Sequence, residues 1–256
     1  MRSSTLRTVI ALTVLAIMGC RAEDAAPPKE NSETTFHFHP QPLPKDAVTA
    51  DWPFFLGPTH DGVCSETKLL KVFNKNAPTL LWETKRGTGY ASPAVVGERL
   101  IHFHRVRDQE IVNCLHAQNG KRFWQFKYGT KYRDRYGYNN GPRSSPIIAG
   151  DRVITYGAEG MLHCLSLQDG AVLWSKNMAA EYKFEQDFFG VSGTPLLDGE
   201  RLIINVGAPN GPTVVALNLK DGSQAWASHG EGARADPKWG ASYASPVPAE
   251  FHGKRC

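Results

Sequence analysis

Several signatures by which a sequence reveals its chemistry are missing from this 256-residue chain. It has no Gly-x-Ser-x-Gly nucleophile turn, no phosphate-binding loop and no His-Glu-x-x-His zinc motif, so none of these motifs indicates an enzyme class. No run of Lys and Arg is longer than two residues, and the formal net charge is only +4. This distribution of charge argues against a nucleic-acid partner.

The chain also lacks a hydrophobic run long enough to cross a membrane as a helix. Its longest N-terminal apolar stretch, from Val9 to Met18, spans ten residues and follows Arg2 and Arg7. A helix needs about 20 apolar residues to span a bilayer, so residues 1–20 are predicted to be a signal peptide. The sequence Ile-Met-Gly-Cys ending at Cys20 is similar to a bacterial lipobox, which predicts that Cys20 is lipidated. The alternative is a plain secretory signal in which Cys20 is incidental.

Residues 21–48 contain few large apolar side chains and many Pro, Ala and acidic residues. Such a segment buries too little surface to offset the entropy of ordering, so it is predicted to be a disordered tether. Residues 49–256 are predicted to form the folded domain. Together these segments predict an exported lipoprotein, anchored to the membrane and facing the periplasm.

The folded region repeats one pattern with a period of about fifty residues. Each unit opens with a Ser-Pro or Thr-Pro pair and closes with an Asn-Gly or Asp-Gly turn followed by a Trp at Gly+4. The opening pairs are Ser92-Pro93, Ser145-Pro146, Thr194-Pro195 and Ser245-Pro246, and the closing pairs are Gly120 with Trp124, Gly170 with Trp174, and Gly222 with Trp226. Repetition with this period is typical of β-propeller blades.

Within each unit, short runs rich in Val, Ile and Leu lie between turn residues, which predicts four antiparallel strands per blade. The fold class is therefore all-β, a β-propeller with about three complete blades. Trp82 lies in a similar strand that no earlier strands precede, so we expect it to close the last blade of the ring. Because propellers have about 4–8 blades, the ring is expected to be incomplete and the chain to be the N-terminal part of a longer protein.

The repeated Trp and Gly residues are predicted to be structural. A Trp on the fourth strand can pack between blades, and a Gly after Asn or Asp suits a hairpin turn with positive φ. The residues assigned to blade packing are Trp82, Trp124, Trp174, Trp226, Gly120, Gly170 and Gly222. Cys114 and Cys164 occupy equivalent positions in neighbouring blades, which is too far apart for a disulfide, and are predicted to be buried thiols.

The segments CLHAQNGKRFW, CLSLQDGAVLW and ALNLKDGSQAW resemble the repeat of the PQQ-like β-propellers, and the resemblance covers the chain from about residue 80 to its end. One branch of that family consists of quinoprotein dehydrogenases, which hold pyrroloquinoline quinone (PQQ) and usually Ca²⁺ and stack the quinone on a disulfide between adjacent cysteines. Another branch contains envelope lipoproteins similar to BamB, which bind no quinone. No two cysteines are adjacent in this chain, so the resemblance implies the second branch.

The loop before each Ser/Thr-Pro pair is expected to lie on one face of the propeller, around the channel. Aromatic, amide and guanidinium groups recur there, as in many ligand pockets. The predicted partner-binding residues are Tyr90, Asn139, Asn140, Arg143, Phe188, Trp239 and Tyr243. Arg143 is expected to be a surface residue, so that its replacement by Ala would weaken binding and leave stability almost unchanged.

No catalytic residues and no metal site are predicted. His102 and His104 point the same way on a strand, but two ligands do not make a site and no third is evident. The leading hypothesis is a non-catalytic scaffold that binds a protein or glycan in the cell envelope without a cofactor. The alternative is a dehydrogenase dependent on PQQ and Ca²⁺, with its catalytic residues in further blades.

Overall fold

The computed structural model describes residues 26–72, 78–184, 189–209, 211–228 and 243–255. Three four-stranded antiparallel sheets dominate these ranges, and in each sheet the strands are ordered as they are in the chain. This confirms the prediction of an all-β fold built from propeller blades. The three blades do not close a ring within the described residues.

The blades follow one another along the chain, and the longest strands belong to the first blade. The first comprises β3 (Ala94–Val96), β4 (Arg99–Val106), β5 (Gln109–His116) and β6 (Arg122–Gly129). The second comprises β7 (Ile147–Ala149), β8 (Arg152–Tyr156), β9 (Met161–Ser166) and β10 (Val172–Asn177), and is followed by the short helix α1 (Met178–Tyr182). The third comprises β11 (Leu196–Asp198), β12 (Arg201–Asn205), β13 (Val214–Asn218) and β14 (Gln224–Ala227). A hairpin of β15 (Glu250–Phe251) and β16 (Lys254–Arg255) follows the fourth Ser-Pro pair.

The hydrophobic core lies between the blades. Because side chains alternate along a strand, the second blade has two apolar faces: Ile148 and Val153 pack toward the first blade, and Ile147 and Ile154 pack toward the third. Cys114 and Cys164 are free, fully buried thiols within these layers. Burial raises the pKa of the Cys114 thiol to about 11, so the thiol is protonated at neutral pH.

Each repeated Trp contacts the turn of the next blade in the same way. The Trp124 indole N–H donates a hydrogen bond to the Leu167 carbonyl (2.9 Å), and its ring lies over Gly170, which has a φ of +76°. A Cβ on Gly170 would stand 2.6 Å from the Trp124 ring. The same contact joins Trp174 to the Leu219 carbonyl (2.9 Å) and to Gly222. Trp226, on the last complete blade, is 39% exposed.

The strand that contains Trp82 repeats this contact. The Trp82 indole N–H donates to the Ala117 carbonyl (2.8 Å), and the ring lies against Gly120. The strand β2 (Trp82–Thr84) thus has the position of a fourth strand that precedes the first blade. Its partner among the described residues is β1 (Thr34–Phe36), and not a strand from the C-terminal part of the chain.

The strand β1 lies on the outer edge of β2. Lys85 N–H donates to Glu33 O (2.9 Å) and His37 N–H donates to Leu81 O (2.8 Å), so residues 81, 83 and 85 face β1. Because backbone groups alternate between the two edges of a strand, those of Trp82 and Thr84 point the other way. In the first blade, the backbone groups of Trp124 point to the third strand, β5. The corresponding inner edge of β2 has no strand partner in the described part of the chain.

The N-terminal segment therefore differs from the predicted tether where the structure describes it. Lys29 exchanges two backbone hydrogen bonds with Arg122 at the start of β6 (2.9 and 2.8 Å). The Asn31 side chain is buried and donates to Thr34 Oγ1 (2.9 Å). The composition of residues 21–48 did not indicate this ordered structure. Its hydrogen-bond partners are the free edges of β2 and β6, which lie elsewhere in the sequence. In the described ranges, no helix is long and apolar enough to cross a membrane.

Candidate binding site

The Ser/Thr-Pro pairs align the predicted binding loops through a ladder of hydroxyl groups. The N–H of Ser92 donates to Ser145 Oγ (3.0 Å), and that of Ser145 donates to Thr194 Oγ1 (3.0 Å). The N–H of Thr194 then donates to Ser245 Oγ (2.9 Å). Each hydroxyl joins the first strand of one unit to that of the next. The described residues that directly precede these four hydroxyl residues consequently lie side by side at one end of the blades.

The richest of these loops, residues 131–143, is held by buried charges. The Arg105 side chain is buried and donates to the carbonyls of Tyr132 (2.7 Å) and Asn140 (2.8 Å). Nearby, the Arg143 guanidinium forms an ion pair with the Asp134 carboxylate, and the two side chains are 8% and 0% exposed. Such charges are tolerated in a protein interior only when they are paired and hydrogen-bonded. They therefore fix the shape of the loop.

The Asp134 carboxylate also organises the tip of the loop. It accepts hydrogen bonds from the backbone N–H of Tyr136 (2.9 Å) and Tyr138 (3.3 Å). Asn140 Oδ1 accepts from the N–H of Asp134 (2.7 Å), and Asn139 Oδ1 accepts from Gly141 (2.8 Å). The two amides thus act within the loop, and the tip directs its tyrosines outward.

Four exposed tyrosines and the half-buried Phe189, from four successive loops, meet above this ion pair. We call them the aromatic patch: Tyr90, Tyr136, Tyr138, Phe189 and Tyr243. Ring centroids are 6.0 Å apart for Tyr136 and Tyr138, 5.9 Å for Tyr136 and Phe189, and 5.5 Å for Phe189 and Tyr243. Tyr90 is 60% exposed, Tyr136 55%, Tyr138 72% and Tyr243 40%.

The Arg143 guanidinium lies beneath the patch and contacts its rings. The guanidinium carbon is 5.6 Å from the ring centre of Tyr90 and 6.0 Å from that of Phe189. It is also 5.6 Å from the buried ring of Tyr132. These distances fall within the usual range for cation–π contacts. The ion pair and the rings together form a platform whose outer surface is aromatic.

The structure assigns different positions to the residues predicted from the sequence. Tyr90 and Tyr243 lie on the aromatic patch, whereas Asn139 and Asn140 support the loop. The expectation of an exposed Arg143 is wrong. Its side chain is buried, and the ion pair with Asp134 compensates its charge there. Phe188, Trp239 and Cys20 lie outside the described residues.

Sequence reasoning missed Tyr136, Tyr138 and Phe189 as individual site residues. Aromatic residues recur throughout the loops before the Ser/Thr-Pro pairs, and the sequence does not show which of them lie together. The signal that identifies them is the density of aromatic residues within the loops. The exposure of Tyr136 and Tyr138 follows from the hydrogen bonds of their backbone to Asp134, which no sequence pattern reveals.

A second polar cluster joins the first two blades next to the site. The fully buried Glu110 accepts hydrogen bonds from the Tyr128 hydroxyl and from Ala158 N–H (3.0 Å) of the second blade. Burial raises the pKa of Glu110 above its ordinary value. Burial also lowers the pKa of His163, whose ring is 4.3 Å from that of Tyr128, to about 4. Because the cluster is centred on a buried carboxylate that binds both blades, its role is to hold the two blades together.

The His102 and His104 pair lies on the first blade as a stacked pair of rings, with centroids 4.4 Å apart. Gly87 N–H donates to His104 Nδ1 (2.8 Å), and Asn113 contacts the other ring nitrogen (3.1 Å). Burial lowers the pKa of both imidazoles to about 4, and the charge of His104 adds to this effect at His102. In the described ranges, no three His, Cys, Asp or Glu side chains are grouped so as to hold a metal ion.

Comparison with known proteins identifies the family that the sequence matches. A family model described as outer membrane protein assembly factor BamB matches residues 63–176 and 107–249. The outer membrane protein assembly factor BamB of Yersinia pestis is 25% identical over 175 residues, which cover 66% of this chain and 41% of that protein. The chain therefore spans less than half the length of this curated relative.

Solved structures with similar folds are more distant. BamB from Moraxella catarrhalis is 20% identical, with 56% of this chain and 35% of that chain covered and a TM-score of 0.35. A europium-containing methanol dehydrogenase is 16% identical, with 55% and 24% covered and a TM-score of 0.40. The assignment consequently rests on the sequence match to the family model, which covers most of the chain. The chain belongs to the family of the outer membrane protein assembly factor BamB.

Proposed function

We propose that the protein is a non-catalytic binding module of the cell envelope that holds a protein partner on the aromatic patch. The observation that carries the proposal is the patch itself, in which four successive loops place exposed aromatic rings over a buried ion pair. The name of the family, an assembly factor of the outer membrane, supports a protein partner in the envelope.

The chemistry of the patch favours binding to protein. Exposed groups of large aromatic side chains are uncommon on monomers and often mark interaction sites. Tyr contributes a large contact area and loses little conformational entropy when it binds, and it is enriched where interfaces are strongest. Since Asp134 and Arg143 already fix the loop, the tyrosines at its tip need little further ordering when a partner arrives.

The described residues around the patch, which exclude 185–188 and 229–242, do not provide a catalytic set. Asp134, the acid beneath the patch, is buried and paired with Arg143, so it is not available as a general base. Cys114 and Cys164 are separate free thiols and do not form the adjacent pair on which a quinone would stack. The described residues therefore do not fit PQQ and Ca²⁺, and we derive no reaction step through them.

Site-specific photocrosslinking in cells tests the proposal. A photoreactive phenylalanine analogue at Tyr138, which is 72% exposed, should capture an envelope protein on irradiation. The matched control places the same analogue at Phe38, which is 59% exposed and lies next to β1, away from the patch. Crosslinking from position 138 and not from position 38 supports the proposal.

Four outcomes would contradict it. Equal capture at both positions, or no capture at either, would mean that the patch has no specific protein partner. Retention of the purified protein on envelope glycan, with loss on Tyr138→Ala, would identify a carbohydrate site in place of a protein site. A stoichiometric quinone absorbance shift with dye-linked alcohol oxidation, after addition of PQQ and Ca²⁺, would establish an enzyme.

The location of the protein is part of the proposal. The signal-like N-terminus and the family name support export and an anchor at Cys20 that leaves the protein facing the periplasm. Replacing Cys20 with Ser should move the protein from the membrane pellet to the soluble fraction. Unchanged sedimentation would refute the lipid anchor and leave the binding proposal intact.

A further inference from the structure

The segment from Asp51 to His60 runs across the inner edges of the blades' first strands. Trp52 exchanges two backbone hydrogen bonds with Val95 of β3, at 2.8 and 3.0 Å. The next residue, Pro53, accepts a hydrogen bond from Ile148 N–H of β7 (3.0 Å). Two consecutive residues of the segment therefore pair with the first strands of two different blades.

The segment continues toward the third and fourth units. The Phe54 ring packs against the core cluster shared by the second and third blades and stacks on His60, with centroids 4.6 Å apart. Phe54, Leu56 and His60 line a cavity of only about 20 Å³, together with residues 194–196 and 245–247. The segment thus adjoins the first strand, or the Ser-Pro pair that precedes it, in all four units.

A tight turn gives the segment a compact shape. Gly57 has a φ of +78°, and the Trp52 ring lies so close that a Cβ on Gly57 would stand 2.8 Å from it. At the start of the segment, Asp51 Oδ1 accepts a hydrogen bond from Gly97 N–H (2.8 Å) in the turn between β3 and β4. That turn lies at the end of β3 opposite the aromatic patch.

The inner edge of a propeller's first strand faces the axis, and its backbone groups need water or a partner there. Here, Trp52 and Pro53 supply the partners for Val95 and Ile148. The aromatic rings of the segment also lie against the core between the second and third blades and beside the fourth Ser-Pro pair. We infer that residues 51–60 are an axial plug, which closes the channel so that a ligand reaches the aromatic patch only from the loop face.

The plug itself is inferred from contacts alone, whereas its consequence for the ligand rests on the proposed function. A closed channel requires a partner to lie across the patch and prevents a chain from threading through the axis. The plug also contacts all four units, whereas the hydroxyl ladder and the Trp hydrogen bonds described above each join one unit to the next. It is therefore placed to hold the blades in their mutual arrangement.

Cysteine labelling tests the plug directly. Leu196 lines the small cavity beside Phe54 and His60 and is 7% exposed. In a background with the other accessible cysteines replaced by Ser, Leu196→Cys should react with a maleimide at least tenfold more slowly than Val172→Cys, which lies at a 47% exposed position. Phe54→Ala should then accelerate the labelling of Leu196→Cys severalfold.

A buried control separates plug opening from general loosening. Val112→Cys, on β5 of the first blade and fully buried, lies in the cluster between the first two blades and not in the one against which Phe54 packs, so it should remain protected in Phe54→Ala. If Phe54→Ala does not fold, Phe54→Leu replaces it. Fast labelling of Leu196→Cys in the intact protein would overturn the inference. So would equal acceleration at both buried positions, or acceleration at neither.

Partner binding is measured separately. Phe54→Ala should leave photocrosslinking from position 138 unchanged, because the Phe54 ring packs against His60 and the core between the second and third blades, whereas Tyr138 is held within its own loop by Asp134. If crosslinking from position 138 fails in the intact protein while labelling behaves as stated, the proposed function fails and the plug stands.

Discussion

The carboxylate of Asp134 and the guanidinium of Arg143 form an ion pair beneath the aromatic patch, and solvent reaches almost none of either side chain. The same carboxylate holds the backbone of Tyr136 and Tyr138. Stability of the loop and presentation of the tyrosines therefore depend on one buried pair.

Arg143→Ala should strongly destabilise the protein, in contrast to the expectation from sequence. It leaves the Asp134 carboxylate buried without its counter-charge, and breaking such a pair costs about 3–5 kcal/mol. Urea unfolding monitored by tryptophan fluorescence measures the loss. Arg133→Ala is the control, since its ion pair with Asp108 is exposed on both sides and should contribute little. Equal effects of the two substitutions would contradict the structural role of Arg143.

Gly170→Ala should weaken the contact between the first two blades. The substitution forces a non-glycine residue to a φ of +76° and places a methyl group 2.6 Å from the Trp124 ring. Backbone strain of about 1–2 kcal/mol and overpacking of about 1–3 kcal/mol should add. Gly150→Ala isolates the first contribution, because Gly150 also has positive φ (59°) but no atoms within 4 Å of the added methyl. Thermal unfolding should show the larger loss for Gly170→Ala.

Glu110→Gln should make the protein more stable than wild type at neutral pH. Burial raises the pKa of Glu110 in the folded state above its pKa in the unfolded state. Protonation of Glu110 therefore stabilises the folded protein, and this contribution is fully present at pH values below the unfolded-state pKa. That contribution is lost as pH rises through the raised pKa, by about 1.4 kcal/mol for each pH unit that separates the folded-state pKa from the unfolded-state pKa.

Gln keeps an acceptor for Ala158 N–H without the charge that must be buried. Urea unfolding at pH 4, 6 and 8 should therefore show the difference between variant and wild type growing with pH. Glu98→Gln, at a side chain that is 72% exposed, should show no such trend. A difference that shrinks as pH rises would contradict the assignment.

The periodic features of the fold could be predicted from sequence. The Gly and Trp at fixed spacing identified the closing turn of each blade, and short apolar runs between turn residues identified the strands. These signals are local, since a turn and its strands lie within one repeat. Trp82 was recognised as a fourth strand for the same reason, although its pairing with β1 was not.

The features that differ from prediction depend on contacts between distant segments. Lys29 is ordered by the edge of β6 at Arg122, and Trp52 by the edge of β3 at Val95, yet neither segment has a strand-like sequence of its own. Arg143 was predicted to be exposed because nothing in the sequence shows that Asp134, nine residues earlier, folds back against it. Burial and pairing of charges are tertiary properties, and they determine which loop residues remain free to bind.

The affinity of the aromatic patch for the protein that crosslinks from position 138 tests the account most directly. Calorimetric titration of that purified partner should show at least tenfold weaker binding to the double variant Tyr136→Ala and Tyr138→Ala than to wild type, with unfolding unchanged. Phe38→Ala should bind as wild type does. Unchanged affinity in the double variant, or equal weakening in Phe38→Ala, would contradict a binding site on the patch.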